Sequence, residues 1–165
     1  MEFTTDAPAG VRLFAAMSDI DPALLRKVTV FSTCTEEQLQ LLASAAVETH
    51  HATSELLAEQ GVIGHRFHLL LEGAAEAERD DMVVGTVRAG EFVGEIGLLG
   101  GGPATATVRC TEPTRCLTLR RERFWEVLEA EPAIALRILE VVCRRIVAEG
   151  QAPTHTHNVP ATDPA

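Results

Sequence analysis

Basic residues are scarce in this sequence. Its 165 residues include 14 lysines and arginines against 24 aspartates and glutamates, so the formal net charge at pH 7 is −10. Nucleic-acid binding depends on clustered Lys and Arg side chains that neutralise phosphates. The local clusters at Arg120–Arg123 and at Arg144 and Arg145 lie among acids on predicted helices, which is typical of solvated faces. We therefore expect no nucleic-acid binding by this chain.

Long apolar runs and paired cysteines are also missing. The longest apolar run, Ile134–Val142, is interrupted by Arg137 and Glu140 and is too short to span a bilayer. The N-terminal residues lack the basic and then apolar regions of a secretory signal. The cysteines are far apart and form no Cys-x-x-Cys pair, which favours reduced thiols in a cytoplasmic protein over a disulfide framework. They are Cys34, Cys110, Cys116 and Cys143.

Helices are predicted at both ends of a single domain spanning residues 11–150, between disordered segments at 1–10 and 151–165. Asp21 before Pro22 is a helix start, and Thr35 with Gln38 forms a capping box. The predicted helices are Val11–Met17, Ala23–Val28, Glu36–Val47, Arg120–Glu129 and Ala133–Glu149. The last carries an apolar stripe predicted to face the core, with dimerisation as an open alternative: Leu136, Leu139, Val142, Cys143 and Ile146.

Short strand-like runs separated by glycine or polar residues occupy the middle of the chain. Strands of this length and spacing are typical of an antiparallel sandwich or roll. Asp80 and Asp81 form the polar tip of one predicted hairpin. The predicted strands are Glu48–Ala52, Leu56–Ala58, Phe67–Glu72, Ala74–Glu78, Met82–Val87, Phe92–Val93, Thr105–Arg109 and Thr114–Leu119.

The stretch Gly90–Cys110, here called the cassette, carries the most informative chemistry. Gly94 leaves the backbone open to close approach by a ligand. Glu95 is the lone carboxylate in an apolar segment, and amides at the start of a short helix there would face an anion. A carboxylate that holds hydroxyls beside amides that hold an anion suits a ribose phosphate.

The cassette resembles the phosphate-binding cassette of the cyclic nucleotide-binding domain, the module of catabolite activator protein and of cyclic-nucleotide-dependent kinases. The family pattern is aromatic-x-Gly-Glu-aliphatic-[Ala/Gly]-Leu and then Pro-Arg-x-Ala-Thr/Ser-Val. The matching residues are Phe92, Gly94, Glu95, Ile96, Gly97, Leu98, Pro103, Ala106, Thr107 and Val108. The lead-in Leu25–Ala43 and the glycine spacing of Glu59–Gly73 are also similar. The resemblance implies an α+β fold, an antiparallel eight-stranded β-roll with N-terminal helices and two C-terminal helices.

The same resemblance implies roles for individual residues. It assigns the ribose 2′-hydroxyl to Glu95 and a phosphate contact to Thr105. The candidate ligand-binding residues are Gly94, Glu95, Ile96, Gly97, Ala104 and Thr105. A purely structural Glu95, stabilised at the start of the cassette helix, stays an alternative.

Ala104 departs from the family, which has a phosphate-pairing arginine at this position. Losing such a charge-assisted pair from a desolvated site costs roughly 2–5 kcal/mol, or about 30- to 3,000-fold in affinity. Arg109 lies on the opposite strand face by period-two alternation and cannot replace it directly. Arg66, or the backbone amides of Gly100–Gly102, are the remaining sources of an anion contact.

Histidines near the predicted strands raise the alternative of a metal site. His65 and His68 would fall on opposite strand faces, so a set with Glu72 is disfavoured and no metal is expected. The sequence has no Gly-x-Ser-x-Gly motif and no Cys–His arrangement typical of a nucleophile. We therefore expect a protein that is not an enzyme.

The resemblance implies a cytoplasmic regulatory module that senses cyclic AMP, cyclic GMP or a related ligand, with no other cofactor. A shift of the final helix would signal to a partner protein, since the sequence continues into no DNA-binding or catalytic segment. The alternative is a degenerate domain that needs no nucleotide and serves as an interaction or scaffold module.

Overall fold

The computed structural model describes residues 20–150. The predicted helix Val11–Met17 and the two predicted disordered ends lie outside these residues. The first elements are helix α1 (Pro22–Arg26), a 3₁₀ turn (Thr29–Phe31) and helix α2 (Glu36–Ala45). The Asp21 carboxylate accepts from the Ala23 amide at 2.9 Å, and the Thr35 and Gln38 side chains each accept from the other residue's amide. Both predicted caps are confirmed.

Two four-stranded antiparallel sheets form the roll that the resemblance implied. Their strand orders are β1-β8-β3-β6 and β2-β7-β4-β5. The strands are β1 (Val47–His51), β2 (Leu56–Ala58), β3 (Arg66–Glu72), β4 (Ala74–Arg79), β5 (Met82–Arg88), β6 (Phe92–Val93), β7 (Thr107–Cys110) and β8 (Thr114–Arg120). The predicted hairpin tip is confirmed, with positive φ at Asp80 and Asp81. The α+β fold class is therefore confirmed.

Strand β7 begins two residues later than predicted because the chain before it pairs elsewhere. Pro103 and Ala104 form isolated bridges with Ile63 and Gln60 in the loop between β2 and β3. Helix α3 (Glu95–Gly100) lies between β6 and this segment. The cassette therefore runs from a short strand through one short helix and a bridged loop into β7.

Alternation along β3 separates two cores. Phe67 and Leu69 face the helices, where Phe67 packs 5.2 Å from Phe92 and 5.0 Å from Phe124 between ring centroids. His68, which lies between them in the sequence, is also buried, and Leu70 belongs to the smaller core inside the roll. A sheet that packs against helices on one face and against a second sheet on the other buries residues on both faces. Alternate side chains of β3 supply the two faces.

The final helices are α4 (Arg121–Ala130) and α5 (Pro132–Gly150). The prediction that the apolar stripe of α5 faces the core was wrong. Leu136, Leu139 and Ile146 are 61 %, 50 % and 60 % exposed, and Cys143 is exposed too. Ile134 and Ile138 supply the buried contacts instead, and Val142 packs partly buried beside them. Apolar residues occur on both sides of α5, so periodicity alone did not select the buried face.

Within residues 20–150, no helix is both long enough and apolar enough to cross a bilayer.

Candidate functional site

A cavity of about 580 Å³ is lined by strands of both sheets, the cassette and α5. All six candidate ligand-binding residues lie on its wall: Gly94, Glu95, Ile96, Gly97, Ala104 and Thr105. Most of the remaining wall is apolar, including Leu57 and Val87. A concave, largely apolar cavity with a few convergent polar groups has the ordinary form of a small-molecule site.

Gly94 fixes the start of the site because its backbone position admits no side chain. Its φ is +97°, and an added Cβ would overlap the carbonyl oxygen of Arg66. Strand β6 can therefore run close beside β3 and turn directly into α3, whose first residue is Glu95. This close approach is the physical reason for a glycine at position 94.

The Glu95 carboxylate is buried and is paired with an arginine from α5. Arg145 Nη1 donates to Glu95 Oε1 at 2.8 Å, and the Arg145 guanidinium lies 4.7 Å from the centroid of the Phe92 ring. Burial raises the pKa of the Glu95 carboxyl above its ordinary value, and the Arg145 charge opposes that rise. Arg145 was predicted to lie on a solvated face; the missed signal is that a buried carboxylate requires a partner.

At the other end of the cassette, Ala104 is held through its backbone. Its amide donates to the Val62 carbonyl and its carbonyl accepts from the Gly61 amide, both at 2.9 Å. The next residue, Thr105, accepts at its carbonyl from Arg79 Nε at 3.0 Å. The loop is thus fixed in place by contacts that do not depend on the side chain at position 104.

Three arginines line the cavity among the residues described: Arg66, Arg79 and Arg145. Arg109 does not, and it donates instead to the Ser54 carbonyl at 3.1 Å, as its predicted outward face requires. Arg79 was missed by the sequence analysis because its approach to Thr105 depends on pairing between β4 and β7, strands far apart in sequence.

The grouping of His65, His68 and Glu72 that the sequence disfavoured does not occur among the described residues. His65 is exposed before β3, and Glu72 Oε1 accepts from Arg115 Nη2 at 2.7 Å. His68 is buried at the cavity wall, where burial lowers its pKa to about 3, and His51 is buried near it. The His51 and His68 ring centroids are 5.6 Å apart.

Replacing Arg145 tests the buried pair. In Arg145→Gln we expect the Glu95 pKa to rise further, with a loss of about 1–3 kcal/mol of stability at pH 7, because the buried carboxylate loses its charged donor. A raised folded-state pKa means that stability is greatest below the ordinary value of 4.5 and falls as pH rises through the folded-state pKa. Urea denaturation at pH 4.5 and pH 7 should therefore show a larger deficit at pH 7. Arg144→Gln, an exposed neighbour on α5, is the matched control, and an equal deficit in it contradicts the assignment.

The sequence of this chain is similar to those of known proteins with a domain of one family. The family model for the cyclic nucleotide-binding domain matches residues 48–131. A cAMP-dependent protein kinase regulatory subunit from Hypocrea atroviridis is 27 % identical over 132 residues, which cover 80 % of this chain and 28 % of that protein. The chain thus spans little more than a quarter of the curated relative.

Two solved structures show the same architecture. A putative cyclic nucleotide-binding protein from Geobacter metallireducens GS-15 is 26 % identical, with a TM-score of 0.68 over 80 % of this chain and 99 % of that one. Catabolite activator protein from Thermus thermophilus is 22 % identical, with a TM-score of 0.67 over 73 % of this chain and 59 % of that one, and shares the fold. The chain belongs to the cyclic nucleotide-binding domain family.

Proposed function

We propose that this protein is a non-enzymatic regulatory module that binds a purine cyclic nucleotide in the cavity and signals to a partner protein through α5. The observation that carries the proposal is the Glu95–Arg145 pair. Glu95 is the family's ribose-binding carboxylate by motif, and its partner is on the helix that closes the cavity. A ligand hydroxyl donating to Glu95 would act on the carboxylate that holds α5, so occupancy and helix position are coupled.

The phosphate would be held chiefly by neutral donors. Gly94–Gly97 and Thr105 are on the cavity wall, and backbone amides facing an anion would stabilise it without a formal charge. Arg79, whose Nε already contacts the Thr105 carbonyl, places a guanidinium beside this position. With no arginine at position 104, we expect binding weaker than in a domain that carries one.

The exposed stripe on α5 is the proposed output surface. Leu136, Leu139, Cys143 and Ile146 follow a three-four-three spacing, the seam of a helix that pairs with another helix. Three of these positions are at least half exposed. A partner helix, or α5 of a second copy, would cover this stripe and detect a change in the position of the helix.

Ala104 favours a second candidate, the nucleotide-independent scaffold. In that function the cavity would stay empty, Glu95 would serve only to hold α5 through Arg145, and the α5 stripe would bind its partner constitutively. The two functions differ in whether the cavity binds nucleotide and in whether α5 responds to it.

Calorimetric titration of the full chain with cyclic AMP and cyclic GMP, combined with hydrogen exchange of α5, tests the proposal. We expect saturable binding at micromolar to millimolar concentration and changed exchange in α5, with no response to the open-chain 5′-monophosphate. Binding without any change in α5 overturns the signalling route. No saturable binding of either nucleotide overturns the sensor and supports the scaffold.

A further inference from the structure

Three side chains of the types that bind metals meet inside the roll, on the sheet that also contains β6 of the cassette. His51, His68 and Cys116 come from β1, β3 and β8, adjacent strands of one sheet. One ligand atom from each lies within 4.8 Å of the others, and all three residues are more than nine-tenths buried. We call this set the inner cluster. Nothing in the proposed nucleotide contacts uses it.

One polar atom of the inner cluster has no hydrogen-bond partner. His51 Nδ1 is buried and unpaired, and the nearest carboxylate oxygen, Glu55 Oε1, lies 3.7 Å away, beyond hydrogen-bond distance. A buried imidazole nitrogen without a partner is costly and rare in native structures. This nitrogen is therefore available to a further ligand.

The atoms around the inner cluster hold both rings in place. The Thr49 hydroxyl lies 3.0 Å from His51 Nε2, the Thr118 hydroxyl lies 2.9 Å from His68 Nδ1, and the two hydroxyls are 2.7 Å apart. Hydrogen bonds of this kind, to the rings of metal-binding histidines, fix ring orientation around the ion.

We propose that His51, His68 and Cys116 bind one Zn²⁺ ion, with the fourth position open to the cavity. Two imidazoles and a thiolate are ligand types that zinc takes in tetrahedral sites, where three protein ligands leave one position for water. Bonds of about 2.0–2.3 Å place such ligand atoms roughly 3.3–3.8 Å apart, so the cluster closes by about 1 Å on binding. The ion has an entry path, because His51, His68 and Glu55 line the cavity. It would link β1, β3 and β8 from within.

The test uses the full chain, freed of metal by a chelator, without nucleotide. Titration with Co²⁺ should produce one equivalent of a species with thiolate-to-cobalt charge-transfer absorption, which Zn²⁺ then displaces. Cys116→Ala should abolish the absorption, and Cys34→Ala, which removes a buried thiol in the other core, should leave it intact. A second control, His155→Ala with His157→Ala, removes two histidines near the C-terminus and should also leave it intact.

Thermal unfolding gives an independent readout. Zn²⁺ should raise the unfolding midpoint of the wild type and of both controls, and should not raise that of Cys116→Ala. Wild-type protein without the charge-transfer band overturns the site, whatever the variants do. Equal Co²⁺ binding by Cys116→Ala and wild type overturns it too, and assigns the inner cluster to a hydrogen-bonded core network.

Discussion

Ala104→Arg is expected to raise the affinity for cyclic AMP by about 30- to 3,000-fold, the factor that corresponds to a desolvated charge-assisted pair of roughly 2–5 kcal/mol. Position 104 is on the cavity wall, one residue before Thr105. Under the proposed function, a guanidinium there would reach a phosphate held beside Thr105. Calorimetry of the variant and the wild type with the same nucleotide measures the gain.

The control for added charge is Gly100→Arg. Gly100 is in the same cassette, is outside the cavity lining, has no positive φ, and has open space where a Cβ would be. We expect this variant to change affinity by less than about threefold, the range of a screened surface charge. Equal gains in both variants would assign the effect to net charge alone. No gain in Ala104→Arg would mean that the cavity does not accept a phosphate at this position.

Gly94→Ala is expected to be the most destabilising single-methyl change in the cassette. A non-glycine residue in the left-handed region costs about 1–3 kcal/mol. The new Cβ also overlaps the Arg66 carbonyl oxygen, a backbone atom that cannot rotate away, and forced repacking adds about 1–3 kcal/mol. The sum of about 2–6 kcal/mol is a large share of the stability of a domain this size. Urea denaturation monitored by circular dichroism measures it.

Two other glycines separate the strain from the overlap. Gly90 has φ +90° but open space where a Cβ would be, so Gly90→Ala should show only the conformational cost of the positive φ. Gly85 has neither a positive φ nor a near neighbour, and Gly85→Ala should change stability by less than about 1 kcal/mol. If Gly94→Ala costs no more than Gly90→Ala, then β3 and β6 can separate freely and the close approach does not constrain the site.

Local patterns predicted the strands and caps well. Glycine and polar breaks mark the strand ends, so the predicted bounds fall within two residues of those observed, and Asp21 and Thr35 cap helices by contacts within three residues. The resemblance supplied the eight-stranded roll and the six candidate residues. All six prove to share one cavity.

What the sequence could not supply is pairing between distant segments. The Glu95–Arg145 contact joins residues 50 positions apart, and the Arg79 contact with Thr105 depends on strand register. The inner cluster needs β1, β3 and β8 to be neighbours, which no local pattern encodes. The buried face of α5 was mispredicted for a related reason, since tertiary packing selects between two apolar sides of one helix.

The backbone bonds of Ala104 have a consequence for substitutions at this position. Because the loop is fixed by the amide and carbonyl of residue 104 and their bonds to Val62 and Gly61, its shape does not depend on which side chain it carries. A charged side chain can therefore be substituted there without rebuilding the fold. Under the proposed function, affinity for the ligand can change at this position while the free energy of unfolding stays the same.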